Sequence, residues 1–215
     1  SHYLQKYNIL HFLSKKNSQL NYMKKCMDNG ADINVRNNDD WTPLMFAVQN
    51  EYPLEKVKFL LDNGADVNVQ NKEQKTALMY AVNCSSCPLE VVQLLLDNGA
   101  DINVKGVYEK TVLMCALSSS SACLDKVKLL FKKGVDVNEL DYHGWSSLLF
   151  ATYYSCSFEI IEFLLKNDAD VNVIDDRGSS VLMNVVKESR SPKIIQLLLE
   201  NGVDVNYRNS SSETA

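Results

Sequence analysis

The sequence predicts an all-α fold, a solenoid of helix-turn-helix units with short β-hairpin fingers between them. Three observations predict it. The segment LDNGAD stands at 61–66 and 96–101 and returns as MDNGAD at 27–32. Its glycine, or the residue in its place, recurs at Gly30, Gly64, Gly99, Gly134, Asp168 and Gly202, in steps of 34, 35, 35, 34 and 34 residues. A second marker, a hydroxyl residue opening an apolar run, keeps the same phase at Thr42, Thr76, Thr111, Ser146, Ser180 and Thr214. Self-similarity at such a period is the signature of a stacked array.

The elements of one unit follow in order. TPLMFAVQN places Thr42 at an N-cap and Pro43 at the first helical position, where each is favoured. From Leu54, LEKVKFLLDNG sets Leu54, Val57, Leu60 and Leu61 on one apolar face and ends at a glycine suited to a left-handed C-cap. Between helix pairs, ADVNVQNKEQK joins a short β-prone run to polar turn residues, as a projecting finger would. Helices of about ten residues are marginal alone, so each unit needs neighbours over its apolar faces. The N-terminal NILHFLSKKNSQLNYMKKCMDNG fits the same frame, which gives six helix pairs in repeats at 1–34, 35–68, 69–103, 104–138, 139–172 and 173–206. Residues 207–215 begin a further repeat, so a fragment of a longer array is expected.

Composition narrows the function. A chain of 215 residues with 46% hydrophobic and 23% charged residues is ordinary for a globular protein. Its net charge of -5 offers no basic footprint for nucleic acid or an anionic membrane. No apolar run approaches a membrane span, and the N-terminus lacks the pattern of a secretory signal. Six cysteines are too sparse for a disulfide scaffold, which points to a reducing, cytoplasmic setting with free thiols.

TPLMFAV, LEVVQLLLDNGADINV and their copies resemble the ankyrin repeat, over essentially the whole chain. Two departures stand out. The histidine of the family's T-P-L-H segment is replaced by Met45, Met79, Met114, Leu149 and Met183, which implies apolar packing there. The connectors between paired helices, such as NCSSCPLE and SSSSACLD, are longer than the family's. The resemblance implies recognition of a protein or peptide through a concave face of finger tips and first helices. Carried over by alignment, the partner-binding positions include Trp41, Tyr108, Tyr142, His143, Trp145, Tyr153 and Tyr154, with polar neighbours such as Lys110, Asp176 and Arg177. Aromatic residues are enriched at binding hot spots, and the fifth repeat is the richest in them. The residue bias toward Asn, Lys, Ile and Tyr suits an AT-rich genome; in a virus or intracellular pathogen the partner would be a host protein, and the chain a possible secreted effector. The alternative role is substrate delivery within a larger enzyme or ubiquitin-ligase adaptor whose effector lies outside this segment.

Catalysis is not expected. His143 falls in a different repeat from His2 and His11, no carboxylate pair is tied to them, and no phosphate loop is present. No cofactor is implied. Cys84 and Cys87 have the spacing of a zinc half-site or redox pair, but no second pair completes four ligands, so they are expected to pack as small hydrophobes. Lys56, Lys58, Lys126, Lys128, Lys132 and Lys133 are expected on a solvated outer face. The recurring finger residues, such as Asp66 with Asn68 and Asp101 with Asn103, are expected to hold turn geometry.

Overall fold

The computed structural model describes Leu10, Leu13 and residues 20–50, 53–118, 121–187 and 192–215. The chain divides into two compact units, Ser1–Val107 and Tyr108–Ala215. In the first, helices α1 (Leu20–Asp28), α2 (Pro43–Ala47), α3 (Leu54–Asp62), α4 (Ala77–Asn83) and α5 (Leu89–Asp97) follow one another. In the second come α6 (Val112–Leu117), α7 (Leu124–Lys132), α8 (Ser147–Tyr153), α9 (Phe158–Lys166), α10 (Val181–Lys187) and α11 (Pro192–Glu200). Of the first helix expected around His11, only Leu10 and Leu13 are described, and both are buried; His11 and the connector residues 51–52, 119–120 and 188–191 lie outside the described residues.

Short first helices alternate with longer second helices. Each first helix starts where the hydroxyl marker stands: Thr42, Thr76, Thr111, Ser146 and Ser180 accept the amide of the residue three positions on, at 3.2–3.4 Å. These caps are buried, so water cannot replace them. The residues at the family's histidine position are buried at Met45, Met79, Met114 and Leu149 and half-buried at Met183, as apolar packing requires. Within the second unit α8 packs against α6, α9 and α10; within the first, α2 packs on α3 and α4, and α4 on α5.

The repeated segment DNGAD resolves residue by residue. At the end of α3, Asn63 turns its side-chain amide back to the Phe59 carbonyl at 2.8 Å. Gly64 takes φ +84° and donates to Leu61, while the Ala65 amide donates to Leu60, the paired bonds of a Schellman cap. Asp66 Oδ1 then accepts the Asn68 amide at 2.9 Å, closing an Asx turn. Asn68 in turn donates to the Gly99 carbonyl and accepts the Asp101 amide, at 2.9 and 2.8 Å. The same bridge recurs from Asn34, Asn138 and Asn172 to the next repeat of the same unit. The recurring Asp and Asn hold the turn, as expected, and the Asn also sets the register between repeats. Among the described residues the fingers form no strand, only an isolated bridge between Ile174 and Ser180.

Asp168 stands where the other repeats have glycine, at φ +63°, and its amide reaches Leu165 at a longer 3.3 Å. Left-handed backbone is costly for a residue with a Cβ, though aspartate tolerates it better than most. Asp168→Gly is expected to raise stability by about 0.5–1 kcal/mol, the relieved strain exceeding the added chain entropy of glycine. Urea unfolding checks it through the midpoint.

Two expectations are corrected. Lys56 and Lys126, placed on a solvated face by residue type, are 5% and 2% exposed, whereas Lys58, Lys128, Lys132 and Lys133 do face solvent. Lys56 buries its stem beside Val57 and donates from Nζ to the Leu13 carbonyl at 3.0 Å. That bond gives the buried ammonium an acceptor, and burial lowers its pKa from its ordinary value. Leu54, expected on the apolar face, is 42% exposed, because a side chain at the first helical position points past the helix end.

Candidate functional site

The finger tips of the second unit are built by a carboxylate clamp. Asp141 Oδ1 accepts the amides of His143 and Trp145, both at 2.9 Å, and Gly144 turns at φ +73° to donate to the Asp141 carbonyl at 3.0 Å. Asp175 does the same with Arg177 and Ser179, and in the first unit Asn37 and Asn71 play this part. The equivalent position 106 is glycine. Lacking the clamp, this tip turns through a short 3-10 segment, Val107–Glu109, in which both Tyr108 and Glu109 are left-handed, at φ +57° and +60°. Tyr108 ends 59% exposed. Its carbonyl accepts the Tyr142 amide at 2.8 Å, and the His143 carbonyl accepts the Asp176 amide at 2.9 Å, so consecutive tips are tied in register.

Six of the seven residues singled out from sequence belong to this unit, and the structure gathers them into two clusters of rings. Tyr108 and Tyr142 flank His143, with centroids 5.5 and 5.4 Å away. Trp145 meets Tyr153 edge-on at 4.9 Å, and Tyr153 meets Tyr154 at 5.1 Å. Trp145, Tyr154 and His143 are half-buried, while Tyr108, Tyr142 and Tyr153 are 59%, 73% and 48% exposed. The seventh, Trp41, belongs to the first unit. It is half-buried between Phe46 and Tyr80, at 4.9 and 4.6 Å, and the Tyr80 hydroxyl accepts Asn71 at 2.8 Å.

One residue that sequence reasoning missed, Phe150, supports the second cluster, and Lys110, His143 and Asp176, named from sequence, take on contacts that the sequence did not show. Phe150, written into the apolar run of α8, is 2% exposed and meets Trp145 at 5.3 Å and Tyr154 at 5.9 Å. Lys110 sets its ammonium 4.9 Å from the Phe150 ring centre, a cation–π contact. His143 Nδ1 lies 2.9 Å from Asp176 Oδ2, tying two finger tips through their side chains. The period carried this signal: residues 33–35 apart occupy matching places in adjacent fingers. Between the tips and α8 lies an open groove of about 340 Å³, lined by Lys110, Trp145, Phe150, Tyr153 and Arg177 among others.

The cysteines sit apart from this face in kind. Cys87, Cys115 and Cys156 are buried, and Cys84 is half-buried with its sulfur 3.2 Å from the Ser86 hydroxyl. Among the described residues no group of three His, Cys, Asp or Glu is arranged to hold a metal. Cys156 donates to the Leu117 carbonyl at 3.5 Å, and burial pushes its thiol up to about 11. A raised thiol pKa keeps the folded state protonated after the unfolded chain ionises, so it favours unfolding as pH rises from about 9 toward 11. Stability is expected to fall less steeply over that window in Cys156→Ala than in the parent, as paired urea titrations at pH 8 and 10.5 would measure. No helix of the described residues is long and apolar enough to cross a membrane.

A family model described as ankyrin repeats (3 copies) matches residues 10–106 and 103–175. The chain belongs to the ankyrin-repeat family. No curated protein sequence matches it. Among solved structures, an ankyrin repeat domain from Acinetobacter baumannii AYE is 27% identical with a TM-score of 0.78, over 91% of this chain and 98% of that one. The human ASB11 ankyrin repeat domain superposes with a TM-score of 0.81 at 20% identity, over 97% of this chain and 90% of that one, a likeness of fold. Ankyrin repeats serve in general as protein–protein interaction modules and are in general not catalytic. In ankyrin terms, the two ring clusters occupy consecutive finger tips and the first helix of the 139–172 segment.

Proposed function

We propose that this ankyrin-repeat protein binds a partner protein or peptide through its concave face, centred in the second unit on Tyr108, Tyr142, His143, Trp145, Tyr153 and Tyr154. Trp41 offers a smaller ring step in the first unit. The supporting observation is the exposure of Tyr108, Tyr142 and Tyr153 on two ring clusters, with members of both, Tyr108 and His143 from one and Trp145, Tyr153 and Tyr154 from the other, lining one groove. Rings presented on a rigid support bury much area at low entropic cost. Six free cysteines suit a reducing, cytoplasmic compartment for that encounter.

Affinity capture from cell lysate tests the reading with the parent protein and a Tyr108→Asn, Tyr142→Ser, Tyr153→Ser variant. These three side chains are exposed, and asparagine accepts the left-handed backbone at 108, so the fold is expected to persist. A partner retained by the parent and lost by the variant supports the face; equal retention places recognition elsewhere.

A further inference from the structure

The charges around the groove of the second unit are unevenly spent. Asp141 is buried and its carboxylate accepts two finger-tip amides, while Asp176 is engaged by His143 at 2.9 Å. Lys110 and Arg177 line the same groove, and neither has a carboxylate partner among the described residues. Lys110 instead lies over the Phe150 ring. An incoming ammonium would find that ring face occupied and like charge beside it. An incoming carboxylate would find two unpaired cations at the edge of an aromatic floor, in a protein whose net charge is otherwise -5. Two cations without a carboxylate partner among the described residues, in a groove whose own carboxylates Asp141 and Asp176 are already engaged, select a partner by complementarity at short range.

Resting on the recognition face proposed above, we infer that the groove takes an acidic linear segment of the partner protein. A carboxylate lies against Lys110 and Arg177, and a neighbouring leucine or aromatic side chain lies on Trp145 and Tyr153. The guanidinium suits a carboxylate through paired donors, and the lysine adds a point charge.

The probe is a library of random linear peptides displayed on phage, selected on the parent protein and counter-selected on a Lys110→Met, Arg177→Gln variant shown by circular dichroism to keep its helices. Methionine preserves the apolar stem over Phe150, and Arg177 is exposed, so both changes spare the packing. In a Trp41→Phe background Trp145 is the sole tryptophan, and its emission reports occupancy of the groove. The expected result is enrichment of peptides that pair Asp or Glu with Leu or an aromatic residue, that shift Trp145 emission, and that bind the double variant at least about tenfold more weakly. Enrichment of basic or uncharged peptides, equal binding to the variant, or no peptide that perturbs Trp145 would overturn the inference. If a captured protein requires Tyr108, Tyr142 and Tyr153 yet ignores Lys110→Met and Arg177→Gln, the recognition face stands and the acidic ligand falls.

Discussion

Phe150→Ala is expected to destabilise the second unit by about 3–5 kcal/mol, the cost of deleting a buried aromatic ring whose surroundings relax only in part. The ring is 2% exposed on α8, the helix that packs against α6, α9 and α10, so little of the void can be filled from solvent. Its loss also removes the surface on which Trp145, Tyr154 and the Lys110 ammonium rest. Domains are stable by only about 5–15 kcal/mol, so such a change takes a large share of the margin. Tyr142→Ala, 73% exposed on a finger tip of the same unit, is expected to stay within about 0.5 kcal/mol of the parent. Chemical unfolding followed by tryptophan emission separates the two; equal midpoints would mean that Phe150 is not the support assigned here.

The tyrosine-stripped variant is expected to bind a captured partner about 100-fold more weakly, at roughly 1 kcal/mol for each of three exposed rings. Most of the loss should appear as faster dissociation, since contact area rather than long-range charge is being removed. The unfolding midpoint should not move with it. That dissociation of binding from stability is what marks a contact surface, because the half-buried Trp145 and Tyr154 carry packing that Tyr108, Tyr142 and Tyr153 do not.

Much of the fold was legible because each repeat writes its own local chemistry. The hydroxyl marker announced the helix start at Thr42 and Thr76, and the glycine announced the cap at Gly64 and Gly99. What stayed hidden depends on residues one period away. Asn68 reads as a turn residue until its bonds to Gly99 and Asp101 are seen, and Lys56 reads as solvated until the Leu13 carbonyl stands before it. The site divides in the same way. Composition and phase were enough to single out Tyr108, Trp145 and Tyr153, which line one groove. Phe150, by contrast, looks like any core residue of α8, and the link between His143 and Asp176 needs the register of two fingers to be known.

Hydroxyl-radical footprinting of the complex with a captured partner tests the recognition face most directly. Tyr22, on α1 and as exposed as Tyr108 at 59%, serves as the internal reference. The account predicts that the partner shields Tyr108, Tyr142 and Tyr153 from oxidation while Tyr22 reacts as it does in the free protein. Shielding of Tyr22 with unchanged reaction at the other three would contradict it.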